Sequence, residues 1–106
     1  MIRHIVMFSF KPEAEGRTKD ENVALTKAML EQLPSKIGLI RASRVEVNAP
    51  GASEENCDLL LISDFDSLED LQAYQVHPDH VAVGTFMRPL RTGRASVDFE
   101  IPADER

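Results

Sequence analysis

Four side chains in this sequence are suited to moving a proton near neutral pH or to holding the group that loses it: His4, Tyr74, His77 and His80. An imidazole titrates near neutrality and can act as base or acid there. His80 is the candidate general base. Tyr74 can hydrogen-bond a carbonyl oxygen or the enolate that develops from it. The two lie about one and a half helical turns apart, so they flank one pocket only if the chain bends between them, and Pro78 offers such a bend. Each also has a plain structural role open to it. His80 sits near a helix start, and Tyr74 can be a core ring with its hydroxyl at the surface.

His4 is flanked along its strand by Val6, Phe8 and Phe10. Buried there it needs a hydrogen-bond partner, either as a satisfied core residue or as a contact to substrate. His77 precedes a proline, which by itself accounts for a non-helical residue at that point. Thr26 is the one polar member of an otherwise apolar helix stripe. His80 and Tyr74 are taken as the candidate catalytic pair, with His4 and His77 as candidate substrate contacts. His77-x-x-His80 has a spacing that suits a metal ion, with His4 as a third imidazole if it lies near. Pro78 breaks the regular helix face, however, and there is no fourth ligand and no His-Glu-x-x-His pattern. No metal and no cofactor is expected. Cys57 has no basic neighbour in sequence to activate it. Gly84 lowers helix stability, in return for close helix–sheet packing or for ligand space.

The elements that must position these residues follow from apolar periodicity. Ile2, His4, Val6, Phe8 and Phe10 alternate with Arg3, Ile5, Met7 and Ser9, a strand pattern closed by Lys11-Pro12. Thr18-Lys19-Asp20-Glu21 forms a capping box. The helix it opens carries Val23, Thr26, Leu30 and Leu33 on one face and is expected to stop at Pro34. Leu39 to Asn48 reads as a second strand, with a turn at Pro50-Gly51. Asp58 to Phe65 reads as a third, apolar on both faces and so covered on both. Ser67 caps a second helix bearing Leu68, Leu71 and Tyr74. After the His77-Pro78 break a further helical segment spans Pro78 to about Met87. Ala95, Val97, Phe99 and Ile101 alternate with charged and polar residues in a last strand. Residues 1–101 form one domain, and 102–106 a loose tail.

The order β-α-β-β-α-β is that of an α+β, ferredoxin-like protomer, an antiparallel four-stranded sheet with helices on one face. Ile5, Met7 and one side of the third strand leave apolar groups on the other face. A second copy packed sheet to sheet would bury them. The 106 residues suit one small domain, for which extra burial is an advantage. With 42% apolar and 28% charged residues the chain is neither disordered nor membrane-embedded. A net charge of −6 argues against nucleic acid. Arg88, Arg91 and Arg94 form a small basic group, but Asp98 and Glu100 follow at once. One cysteine, no signal-like leader and no long apolar run point to a cytoplasmic protein.

Three linked segments carry a family resemblance: Arg3-His4-Ile5-Val6-Met7-Phe8; Ser63-Asp64-Phe65-Asp66-Ser67-Leu68-Glu69-Asp70-Leu71 leading to Tyr74; and His77-Pro78-Asp79-His80 followed by Asp98-Phe99-Glu100. Together they resemble the stress-responsive A/B barrel (Dabb) family, which includes polyketide cyclases of the olivetolic acid cyclase type. The resemblance covers essentially the whole chain. It implies a homodimeric α/β barrel and, by analogy with those cyclases, cofactor-independent chemistry in a pocket between sheet and helices. It places a catalytic histidine at His80, a pocket tyrosine at Tyr74 and a strand histidine at His4. It makes Thr26 a substrate contact, standing where the cyclases carry a second pocket tyrosine, and that difference puts their particular substrate in doubt.

Two functions are thus open. One is a cofactor-independent enzyme abstracting a proton next to a carbonyl, cyclase- or isomerase-like, on a small hydrophobic compound. The other is a non-catalytic dimeric module that binds a small molecule or serves a stress response. Cofactor-free oxygenation is a weaker third, since no tryptophan and one tyrosine are present to build an aromatic pocket. The enzyme needs a cavity of several hundred Å3, in the usual range, with His80, Tyr74 and His4 converging on it. Filling by Leu30, Val83 or Met87 would favour the binding module.

Overall fold

A computed structural model describes residues 1–102. Strands β1 (Ile2–Phe10), β4 (Ala42–Val47), β5 (Leu59–Phe65) and β6 (Arg91–Glu100) form one sheet in the order β4-β5-β1-β6, antiparallel throughout. Helices α1 (Lys19–Lys36), α2 (Leu68–Gln75) and α3 (Pro78–Met87) complete the α+β, ferredoxin-like fold. No helix is long and apolar enough to cross a membrane. The expected tail lies, apart from Pro102, outside the described residues.

β1 has the alternation its sequence predicts. Ile2, His4, Val6, Phe8 and Phe10 are buried under the helices, whereas Met7 is exposed on the opposite face. Phe65, Tyr74, Leu71, Leu59, Ile37 and Leu90 are the most deeply buried large side chains of the core.

The capping box forms at the start of α1, with Thr18 Oγ1 accepting from Glu21 N–H and Glu21 Oε1 accepting from Thr18 N–H. The helix does not stop at Leu33. Pro34 lies inside it and the last turn continues to Lys36. A proline so near the end forfeits one backbone bond, and the Ile37 N–H still donates to the Leu33 carbonyl at 2.9 Å. Burial of Leu33 and Ile37 holds that turn against the sheet.

A small hairpin, β2 (Glu13–Ala14) with β3 (Arg17–Thr18), was not legible in the pattern. Its two turn residues, Glu15 and Gly16, both have positive φ, of 54° and 74°. That is the signature of a tight two-residue hairpin turn, but Glu-Gly is a weaker cue than Asn-Gly or Asp-Gly. Buried Asn22 ties the hairpin to α1, donating to the Ala14 carbonyl and accepting from Arg17 Nε.

β4 is shorter than expected, because Leu39 and Ile40 form a turn packed on the core. β6 is longer at its start, pairing from Arg91 past a register irregularity at Ser9/Phe10. Register decides which way β6 faces. Val97 opposes Ile5, Phe99 opposes Arg3 and Ala95 opposes Met7, all on the open face. Arg94, Ser96 and Asp98 oppose Phe8, Val6 and His4, on the helix side. Directly opposed residues share a face, so the last strand turns its polar residues to the helix side, where Arg94, Ser96 and Asp98 stay exposed.

Candidate functional site

The helix-side polar face of β6 meets β1 at His4. Asp98 Oδ1 lies 2.5 Å from His4 Nδ1. An ionised carboxylate can only accept, so it fixes the neutral ring with its proton on Nδ1. Nε2 then carries the lone pair. It has no partner among the described residues, and none of their fully enclosed polar side-chain atoms lacks one. Nε2 is therefore not sealed away, even though His4 is only 3% exposed.

His80 arrives from the other side. α2 ends at Gln75, and Pro78 begins α3 after His77. This break folds the chain so that the His80 ring lies 4.4 Å from the Tyr74 ring, centroid to centroid. Tyr74 also packs on Phe65 at 4.9 Å and stands 6.5 Å from the His4 ring, edge-on. His80 Nδ1 lies 3.0 Å from the Gln75 carbonyl oxygen. A carbonyl accepts, so Nδ1 is the donor and Nε2 again holds the lone pair.

Burial pushes the His80 pKa down, only partly opposed by the bond to Gln75. Repulsion from Arg94, and from His4 and His77 whenever they are protonated, lowers it further. Burial raises the Tyr74 phenol to about 12. At neutral pH Tyr74 is therefore a donor and not a base. The His80 shift has a consequence for stability. The unfolded chain binds a proton at this residue more readily than the folded one, so stability falls as pH drops through the unfolded value near 6.5 and levels off below the folded one. The melting temperature of a His80→Gln variant should decline less between pH 7.5 and 5.5 than that of the wild type. An equal decline would remove His80 from the account.

His4 and His80 line one cavity of about 180 Å3 between the sheet, α1 and α3. Its apolar wall is Val6, Phe8, Leu30, Leu61, Val83 and Met87, and Arg88, Arg91 and Arg94 complete its polar side. The volume is below the usual range of about 300–1,000 Å3 for small-molecule sites. A wider groove, about 680 Å3, runs beside the start of α1 between Lys19 and the 48–54 loop, but no histidine lines it. Gly84 borders the imidazole cavity, and a Cβ added there would meet nothing within 4 Å. That open space does not fit the close-packing role expected of it. Gly84→Ala should stabilise α3 by about 0.5–1 kcal/mol, a rise of roughly 2–8 °C in melting temperature. Thermal unfolding followed by circular dichroism checks this.

The predicted site residues divide. His4 and His80 come together on the cavity, and Tyr74 backs them from within the core. Thr26 does not reach it. It is fully buried, with its hydroxyl donating to the Asn22 carbonyl at 2.8 Å as a hydrogen bond within α1. His77 caps α3, its Nδ1 accepting from the Asp79 N–H at 3.1 Å, and it is not on the wall. Among the described residues no three of His, Cys, Asp and Glu converge as a metal site. Sequence reasoning missed Asp98 as the partner of His4. The signal was the alternation of β6, which needed only the strand register to place Asp98 on the helix side.

Residues 2–101 match the Stress responsive A/B Barrel Domain family, Dabb. The chain belongs to this family. Among solved structures, this Dabb protein is similar to a dimeric protein of unknown function and ferredoxin-like fold from Bacteroides fragilis. The identity is 34%, the TM-score 0.83, and the match covers 94% of this chain and 95% of that one. A dimeric ferredoxin-like protein of unknown function from Thermobifida fusca is 29% identical, with a TM-score of 0.79 and coverage of 94% and 90%. The hydroxynitrile lyase of Passiflora edulis shares the Dabb chain's fold at 14% identity, with a TM-score of 0.78 and coverage of 96% and 94%. No curated protein matches.

Proposed function

We propose that this Dabb protein is a cofactor-independent acid/base catalyst that abstracts a proton next to the carbonyl of a small hydrophobic compound. The observation that carries this reading is the His4 imidazole on the cavity wall, held from behind by Asp98, with His80 on the same wall. The C–H bond breaks, its proton passes to His4 Nε2, and the electron pair moves to the carbonyl oxygen as an enolate. Return of the proton to a different atom isomerises the substrate. Attack of the enolate carbon on a second carbonyl closes a ring, and the alkoxide so formed takes the proton back from His4.

Sequence reasoning had cast His80 as the base. Hydrogen bonding favours His4 instead, because Asp98 can stabilise the imidazolium that forms there, whereas burial and nearby cations oppose charge on His80. His80 is better placed to accept a hydrogen bond from a substrate hydroxyl or from the enol. Tyr74 is a positioning residue that sets the His80 ring.

The test is hydrogen–deuterium exchange at the α-carbon of phenylacetone and of phenylpyruvate in D2O, followed by proton NMR. Exchange above the buffer rate for either is the expected result, and buffer rates for both would overturn the reading. The narrowness of the cavity favours a second reading, a non-catalytic module that binds a small ligand without turning it over.

In either role the chain is proposed to pair with itself through the open sheet face. Val97 and Phe99 are 54% and 40% exposed there, and the Bacteroides fragilis relative is dimeric.

A further inference from the structure

The acid/base reading leaves unused the strongest concentration of charge on the cavity wall. Arg88 follows α3, Arg91 opens β6 and Arg94 lies three residues on, opposite Phe8. All three line the cavity. In a chain of net charge −6 many arginines find a carboxylate: Arg3, Arg41 and Arg44 pair with Asp64, Asp66 and Glu46, and Arg17 instead donates to Asn22 and stacks on Phe86. Among the described residues no carboxylate lies within ion-pair distance of Arg88, Arg91 or Arg94. Their one side-chain hydrogen bond runs from Arg94 Nη1 to Ser96 Oγ at 3.1 Å. Arg91 is partly buried and Arg88 and Arg94 are exposed, and an anion seated among these three guanidinium groups would relieve the repulsion between them.

We infer that Arg88, Arg91 and Arg94 bind the carboxylate of a small apolar acid whose body lies against Phe8, Leu61 and Val83. This rests on the acid/base reading for the reaction and adds to it the substrate class, a keto acid or other small carbonyl-bearing acid. The guanidinium fork matches a carboxylate through paired N–H donors. Strand spacing puts the Arg94 and Asp98 backbones roughly 13 Å apart along the helix side of β6. An acid held at Arg94 thus points its far end along the edge towards His4. The small volume restricts the body to a single ring or a short chain. Arg94 is also among the charges that lower the His80 pKa, which puts its field inside the site, and a bound carboxylate would offset that field.

The test uses phenylacetate and its uncharged isostere phenylacetamide, titrated into the full chain and followed by methyl NMR of Leu61 and Val83. Phenylacetate should bind at least tenfold tighter than the amide, weaken as salt rises, and raise the NMR-measured pKa of His80. The preference should fall below about twofold in an Arg91→Gln/Arg94→Gln variant, and partly in Arg88→Gln, which serves if the double variant folds poorly. Equal binding of acid and amide, binding of neither, or a preference that survives both sets of substitutions would overturn the inference. The acid/base reading fails on a different readout, the absence of exchange on both ketone probes. Phenylacetate selectivity without exchange would therefore keep the anion site and discard the chemistry.

Discussion

His4→Asn should slow α-proton exchange on phenylpyruvate by about 10²–10⁴-fold, the range a positioned general base supplies. The substitution keeps a small polar side chain beside Asp98, so the buried site is not left with an orphaned group, and loss of rate can be separated from loss of fold by the melting temperature. Asp98→Asn is the sharper variant, because it changes no volume. An amide presents N–H as well as C=O, and when the N–H faces His4 Nδ1 the ring must move its proton to Nε2. The lone pair that should take the substrate proton is then gone. A loss of about 10²-fold or more is expected, at nearly unchanged binding of phenylacetate, since the carboxylate clamp is elsewhere on the wall. The double variant should be little worse than His4→Asn alone, because two residues acting as one unit do not add. Additive losses would mean that Asp98 acts independently of His4. Full activity in His4→Asn with loss in His80→Gln would return the base to His80.

Much of this arrangement is written locally in the chain. The Thr18/Glu21 capping box, the Ser67 cap and the His77-Pro78 break each set an element boundary from a few neighbouring residues, and all three form. The alternation of β1 likewise puts His4 on the covered face. What is not local is harder to read. Pro34 predicts a helix end, but the burial of Leu33 and Ile37 overrides it. Glu15-Gly16 makes a hairpin turn without a strong turn pair. Above all, His4 and Asp98 are 94 residues apart, and only the register of the first and last strands brings them together. The same register puts Arg94 on the helix side, so a basic group that sequence reasoning discounted against its acidic neighbours borders the cavity instead, while Glu100 pairs with the N-terminal amine. Thr26 was matched by position in the chain and His77 by its residue type, but both side chains bond to backbone, at the Asn22 carbonyl and the Asp79 N–H.

The second large effect concerns assembly. Val97 lies on the open face partway along the edge strand β6, opposite Ile5 and in line with Ile62 and Arg44 across the sheet. Being 54% exposed in the single chain, it can become aspartate with little harm to the protomer, since a surface substitution usually changes stability by less than about 0.5 kcal/mol. In a twofold dimer packed through this face the same change buries two uncompensated carboxylates, one from each copy. Breaking a buried charge balance costs about 3–5 kcal/mol, so dissociation constants should rise by about 10²–10³-fold or more. Sedimentation equilibrium at micromolar concentration should find the wild type at the mass of two chains and Val97→Asp at the mass of one, with the protomer still folded by circular dichroism. Val81→Asp, an equally exposed valine on α3, is the control and should remain dimeric. A monomeric wild type, or a Val97→Asp protein that still pairs, would remove the open face as the interface and leave its apolar side chains without an occupant. Because β6 carries Val97 on one face and Arg94 and Asp98 on the other, pairing would also brace the strand that holds the site. Loss of the dimer should therefore lower the exchange rate as well, although Val97 touches neither His4 nor the substrate.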